Sequence, residues 1–484
     1  MSVRALATGE PILRPLAPDA LDRLHAASLR ILEETGVAVT SPGVRDRLAA
    51  AGARVEGDRV HLPAALVEAA LAAAPPAYTL AARDQAWDLP LDGAHGYLSV
   101  DGSAAEILDL ESGERRASTE ADLAAVTRLA DALPEIAFLW QGVEAGDRPV
   151  PVRPLHELRT QLVNSGKHVQ LMTATTPLAA RGAVELARAV AGGADALRAR
   201  PVLSSFQVSL SPLTFDGDAL EAALVYAEAG VPAGFVVMAI GCATAPATPA
   251  GVLAQSNAEV LAGMTIVETL VPGAPTFYGA CSTTMDLRTG LTTCGGPEDL
   301  LYQAAFAQLA RHYRVPSSVG TFAPGAKSAD WQAGLENGLS GLASLFAGAD
   351  MLSGAGLLYA ARVFALEEMV LDAEIFGLVR HLGGGLVVDE ETLAVDVIGG
   401  VGPGGNFLAE EHTVAHMREL WQPRLFNRGT WEEWEAAGRP SPRDRARERA
   451  KSLLASHVPP PLPDGVAGEL DAIVAAFSRE AGVA

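Results

Sequence analysis

From residue 136 onward, short apolar runs alternate with longer segments of helical periodicity, and this rhythm constrains the fold more than any other feature of the chain. The runs are Ile136–Trp140, His168–Thr173, Val202–Val208, Gly234–Ile240, Thr276–Gly279, Ser317–Phe322 and Asp350–Ser353. Between them lie helical patterns at Leu178–Ala191, Asp218–Ala229, Pro249–Val271, Gly296–His312 and Gln332–Ala347. Runs this short and this apolar suit strands covered on both faces. A helix between consecutive strands returns the chain to the same end of the sheet, so neighbouring strands run parallel. Seven or eight such units predict an α/β fold, a closed (β/α)8 barrel of the TIM type. No GxGxxG opens a helix after a strand, which leaves the dinucleotide-binding alternative without support.

The flanks follow other rules. Ala20–Glu34 spaces Leu21, Leu24, Leu29, Ile31 and Leu32 as an amphipathic helix, Val44–Ala51 and Pro63–Ala73 are two more, and Ala53–Leu62 is strand-like. Pro76–Glu114 is strand-rich with turn residues. Residues 1–115 are therefore expected to form an α+β extension packed on a barrel spanning 116–436. A tail over 437–484 has a charged stretch, Pro440–Arg449, a stiff break at Pro459, Pro460, Pro461 and Pro463, and a last helix over Gly468–Glu480.

Composition excludes several roles. The formal charge of −22 repels phosphate backbones and anionic lipid, so neither nucleic acid nor a membrane surface is expected as a partner. Apolar runs such as Ala233–Ile240 fall short of the roughly 18–20 residues a spanning helix needs. Cys242, Cys281 and Cys294 are too few for a disulfide framework, and the opening MSVRALATGEPILRPL has no apolar leader core. A cytoplasmic protein is the expectation.

In such barrels the reacting groups sit on loops after the C-terminal ends of the strands. The loops carrying Tyr278–Gly290 and Gly320–Gln332 are the first candidates. Each also has a plain structural reading: Asp216 and Thr244 are good helix caps, and Asp286 with Arg288 could simply pin a loop. His412 and His416, four apart on a helix, could share a metal, although such a pair is more often a polar stripe. Cys281 stands at a strand end as a conceivable nucleophile, but there is no GxSxG elbow and free cysteines are usually buried. The glycine-rich segment Gly399–Leu408 could cradle a phosphate, although it lacks the Lys-Ser/Thr of a P-loop.

Taken in order, several stretches resemble the trimethylamine methyltransferase family of corrinoid-dependent enzymes. They include LRILEETGV, SPLTFD, GCATAPATPAGVLAQSNAEVLAG, PGAPTFYG, MDLRTG, GAKSADWQAGLE, EEMVLDAEI and GPGGNFLAEEHTVAHMRELWQPRLFNR. The resemblance covers nearly the whole chain and is most similar to members without pyrrolysine that act on quaternary amines such as glycine betaine. It implies methyl transfer from an amine to Co(I) of a corrinoid (cobalamin) carried on a separate protein, in a homo-oligomeric enzyme with no metal bound by its own chain. A quaternary ammonium releases a neutral amine on losing a methyl, so no proton need be supplied. Pyrrolysine is thought to activate the free amine in trimethylamine members. Every position here is an ordinary residue, which favours a quaternary substrate.

A quaternary ammonium offers no N–H and is held by aromatic faces and carboxylates. Under this resemblance the expected substrate-binding residues are Phe206, Gln207, Tyr278, Arg288, Trp331, Tyr359, Arg362 and Phe364. Trp331, Tyr359 and Phe364 would enclose the cation. Asp286 and Glu367 would balance charge as catalytic residues, Arg288 or Arg362 (with Lys327 also available) would take an anionic end, and Gly404, Gly405 and Asn406 would face the corrinoid. Where many members have an acidic residue followed by Ser-Gly, this chain has Tyr359-Ala-Ala, and Asn406 stands where many have His. The first departure falls in an expected substrate loop and points away from glycine betaine itself, while the added Arg362 would suit an anionic group. The alternatives are a binding-only barrel for a quaternary or amino-acid-like ligand, and methyl transfer to folate.

Overall fold

A computed structural model describes residues 11–483. Residues 1–10, which carry most of the leader-peptide reading, lie outside them. Eight parallel strands close into a barrel: β1 (Tyr97–Val100), β2 (Ile136–Leu139), β3 (His168–Leu171), β4 (Leu203–Val208), β5 (Ala233–Val237), β6 (Tyr278–Ala280), β7 (Ser317–Gly320) and β8 (Met351–Ala355). Each pairs with the next in sequence, and β8 closes on β1 through Met351 opposite Tyr97. A long helix follows each strand: α1 (Glu120–Ala132), α2 (Arg153–Asn164), α3 (Pro177–Ala191, with a short helix Ala194–Ala199 after it), α4 (Gly217–Ala229), α5 (Pro249–Leu270), α6 (Pro297–Tyr313), α7 (Trp331–Phe346) and α8 (Leu366–Gly383). Asp216 caps α4, accepting from the Ala219 N–H at 3.2 Å. Thr244 does not cap α5; its hydroxyl accepts from Ile240 N–H and closes the turn after β5.

Two boundaries differ from the sequence reading. The first barrel strand lies inside residues 1–115, so that segment supplies β1 as well as an extension. The last barrel helix ends at Gly383. Residues 384–420 then run through short helices, Glu390–Leu393, Val395–Val401 and Glu411–His416, none of which buries a side chain. In the extension, Ala53–Leu62 is a hairpin of Arg54–Glu56 and Arg59–His61 rather than one strand. The sheet it belongs to includes Val37–Val39, which pairs with Thr214–Phe215 from the loop after β4 and so fastens the extension to the barrel. The tail forms helices Pro442–Ser456 and Val466–Glu480.

A second hairpin, Tyr78–Leu80 with Leu89–Leu91, closes the lower end of the barrel. Its neighbourhood bonds to backbone just before β3 and β4, with Asp84 N–H to Gly166 O and Ala81 N–H to Pro201 O. Leu80, Leu89 and Leu91 pack with Tyr97, Phe138, Phe277 and Met351 inside the barrel. That filled floor leaves only the opposite end, where the strands terminate in carbonyls, for a ligand.

Candidate active site

A cavity of about 200 Å³ lies at the C-terminal end of the barrel, and all eight strands contribute to it. Asp101 follows β1, Trp140 follows β2 and Met172 follows β3. Phe206 and Val208 end β4, Val236 and Met238 come from β5, Cys281 follows β6, Gly320 and Thr321 come from β7, and Leu357 follows β8. The wall is completed by Thr283, Cys294, Asp299 and Gln303 from the loop after β6 and from α6, and by Ala360 and Ala361 from the loop after β8.

Most of this wall is apolar, and its largest pieces are fixed by their neighbours. The Trp140 and Phe206 rings lie 4.6 Å apart between centroids, tilted by 47°. The Trp140 indole N–H donates to Gln170 Oε1 at 2.5 Å, and Gln170 Nε2 donates onward to Ser204 at 3.1 Å. A polar layer beneath the cavity thus orients an aromatic ring within it.

Two carboxyls interrupt the apolar lining. Burial pushes Asp101 up to about 7, with the Gly102 N–H among the groups pulling the other way. Asp299 is also raised to about 7 by burial, although it accepts from the Thr283 hydroxyl at 2.8 Å and the Gly295 N–H at 3.1 Å. Neither faces a basic side chain in the lining, because among the described residues no Lys, Arg or His borders the cavity. Burial and then Asp101 raise the Cys281 thiol well above its ordinary range. It is a neutral wall group, so the nucleophile reading gains no support.

The sequence-predicted residues divide sharply. Phe206 lines the cavity, and both candidate loops reach it, one through Cys281 and Thr283 and the other through Gly320–Ala323. Gln207 does not line it. Between Phe206 and Val208 on one strand it takes the opposite face, where its Nε2 donates to Ala174 O. Tyr278 is fully buried away from the cavity, donating to Asn257 Oδ1 at 2.9 Å and stacked on Tyr313. Alternation puts Phe277 in the barrel interior and turns Tyr278 to the helix layer. Phe364 is core, packed where a Cβ on Gly356 or Gly142 would collide with its ring.

Trp331 opens α7 and is 80% exposed, outside the lining. Tyr359 lies at the edge of the site beside Ala360 and Ala361, and its ring is already faced by Lys327 Nζ at 4.8 Å and the Arg362 guanidinium at 5.2 Å. Asp286 and Arg288 pair with each other at 2.8 Å on an exposed hairpin, the plain structural reading. Glu367 is buried under the tail and bonded to Arg443 at 3.1 Å. Gly404, Gly405 and Asn406 are exposed on the 384–420 segment, where Asn406 Oδ1 accepts from Leu408 N–H, and they do not border the cavity. The His412 and His416 rings are 4.3 Å apart, but His416 is engaged by Glu419 and Glu391. Among the described residues no group of three or more metal-ligating side chains comes together.

Asp101, Trp140, Met172, Met238, Asp299 and Gln303 were not anticipated. Their only signal was position, since four of them directly follow strands and two lie in the first turns of α6.

The family model for trimethylamine methyltransferase matches residues 1–482. A trimethylamine methyltransferase of Desulfitobacterium hafniense is 35% identical over 475 residues, covering 98% of this chain and 95% of that protein. A glycine betaine methyltransferase from another strain of the same species is 35% identical over 471 residues, covering 96% and 98%. Among solved structures, the monomethylamine methyltransferase of Methanosarcina barkeri aligns with a TM-score of 0.49 and 14% identity over 95% of this chain and 90% of that one. The family model over residues 1–482 and the two relatives at 35% identity settle the question of kinship: the chain belongs to the trimethylamine methyltransferase family.

Proposed function

We propose that the protein moves a methyl group from a quaternary amine to a Co(I) corrinoid carried by a separate partner protein. The observation that carries this reading is the cavity wall, where Trp140, Phe206, Met172 and Met238 surround a space that also holds Asp101 and Asp299. Aromatic faces attract a desolvated cation by about 0.5–2 kcal/mol each. Thioethers add soft, polarisable contacts. A carboxylate supplies the counter-charge that a permanent cation brings with it into a dry site.

The mouth suits a large acceptor. Val208 and Met238 line the cavity and are still 41% and 43% exposed, so the rim presents apolar surface to whatever covers it. A corrinoid brought there would supply a strongly nucleophilic cobalt as the methyl acceptor. The chain's own residues then have three tasks. Trp140 and Phe206 orient the ammonium, Asp101 balances its charge, and the apolar wall excludes water so that both interactions are strong. The leaving amine is neutral, so Asp101 serves as counter-ion and need not give up a proton. In this reading Asp101 and Asp299 take the charge-balancing place first given to Asp286 and Glu367. Gly404, Gly405 and Asn406 belong to surface available to the carrier protein rather than to the substrate cavity.

Location and assembly are parts of the same proposal. Among the described residues no helix is long and apolar enough to cross a membrane, and a cytoplasmic enzyme fits the three free cysteines. A homo-oligomer fits the many exposed apolar side chains of the 384–420 segment, among them Leu386, Val388 and Leu408.

The test mixes the protein with Co(I) cobalamin and a panel of quaternary amines and follows the Co(I) absorption. Loss of that absorption with at least one amine is expected. A panel in which none consumes Co(I) faster than the protein-free control would sink the methyl-transfer reading.

A further inference from the structure

The chemistry of the cavity narrows the substrate further, and this inference rests on the methyl-transfer reading. Its hydroxyl donors are already committed: Thr283 donates to Asp299, Thr321 to Ser353 O and Ser340 to Asn337 O. Asp299 is held by two donors, Thr283 Oγ and Gly295 N–H, which are thereby used up. Gln303, buried on the same wall, donates its Nε2 to Ser282 O at 3.3 Å. That bond turns its Oε1 the other way, and this oxygen has no hydrogen-bond partner among the described residues. Ser340, also on the wall, donates to Asn337 O while accepting from Phe322 N–H. Asp101 is a second acid on the same surface.

Cations are absent where a carboxylate would need them. Among the described residues, no basic side chain lines the cavity. The basic groups on the neighbouring loops are engaged elsewhere: Lys327 and Arg362 are exposed and face the Tyr359 ring, and Arg288 is paired with Asp286. A betaine would therefore place its carboxylate in a low-dielectric space holding two acids and no counter-ion, a strongly unfavourable arrangement. A ligand arm ending in a hydroxyl would instead donate to Gln303 Oε1, satisfying a buried acceptor.

We propose that the substrate is a quaternary ammonium alcohol, with the cation against Trp140, Phe206 and Asp101 and the hydroxyl donating to Gln303 Oε1, and that carboxylate-bearing betaines are rejected.

The test measures binding by calorimetry and, separately, Co(I) consumption, using choline, tetramethylammonium and glycine betaine as probes. Choline is expected to bind about a hundredfold tighter than glycine betaine, the scale of loss when a buried charge is left unpaired. Gln303→Leu should remove the advantage of choline over tetramethylammonium, choline losing affinity by a larger factor than tetramethylammonium. Asp101→Asn should shrink the choline-to-betaine ratio at least tenfold, and Asp101→Glu should restore most of it. Melting curves show whether each variant has kept its fold, and tetramethylammonium binding that survives in Gln303→Leu shows that the cation end of the cavity is still formed. Glycine betaine binding as well as choline, or no probe binding at millimolar concentration, overturns the proposal. Choline ranking first while no amine consumes Co(I) would support the ligand class and sink methyl transfer. Betaine consumed best would do the reverse.

Discussion

The strand Thr283–Asp286 connects two opposite settings for a carboxylate. At its inner end Thr283 donates to Asp299, an acid in an apolar cavity with no cation beside it, and burial lifts that carboxyl to about 7. At its outer end Asp286 is half-buried and bonded to the exposed Arg288, whose hydrogen bonds lower it to about 2. Three residues along one strand separate Thr283, which holds an acid that lacks a cation, from an acid that already owns one. The difference teaches where a cationic ligand gains most: the Asp286–Arg288 pair is already neutralised, whereas burial raises the cavity acids and a cation beside them would favour their ionised form.

The largest effect expected from breaking this contrast is at Asp101. Asp101→Asn should weaken quaternary-amine binding by about 2–5 kcal/mol, the usual loss when one partner of a desolvated charge pair is truncated. Titration calorimetry reads it directly, and a change under threefold would remove Asp101 from the site. Next comes Trp140→Ala, which should raise KM by an amount equivalent to about 2 kcal/mol through loss of a desolvated cation–π contact. Trp140→Phe should recover part of that loss in the same steady-state assay.

The pH dependence separates the two ends of the strand. In the free protein Asp101 and Asp299 still hold protons in the window from the ordinary carboxylate value of 3.8 to about 7, where the unfolded chain has already released them. The native state binds more protons there, so these two acids make stability fall as pH rises through the window. Asp299→Asn should accordingly raise Tm at pH 8 and leave it nearly unchanged near pH 4. Amine binding should strengthen as pH rises through 7. Asp286 has the opposite sign: its contribution is present above 3.8 and is lost as pH falls toward 2. The smallest effects belong to the outer end, where Asp286→Asn and Trp331→Ala should leave affinity for the best amine within twofold. A tenfold loss in either would return the site to the exposed loops.

The barrel was legible because strands covered on both faces must be apolar throughout, which leaves a rhythm that survives without an alignment. Its first strand was hidden. Tyr97–Val100 is only four residues long and sits among glycines and turns, so it read as part of the extension, and Asp101 was lost with it. The site was legible at the level of loops and mostly not at the level of side chains. Alternation places Phe206 inside and Gln207 outside, and in the same way Phe277 inside and Tyr278 against the helix layer. Trp140, Met172 and Met238 end apolar runs and look like any other core residue until the barrel closes around them. Exposed polarity was the misleading signal: it drew attention to Trp331, Arg288 and Asn406, whose surroundings are solvent.

The hairpin that fills the floor with Leu80, Leu89 and Leu91 makes the site a cul-de-sac. Both reactants must use one doorway, and a carrier protein seated on the rim would bar it. The amine would then have to enter before the carrier docks, and the demethylated amine could depart only after the carrier has left. With the proposed carrier, such a barrel would impose a compulsory order of encounter, and an excess of carrier would slow turnover by trapping the empty or spent cavity.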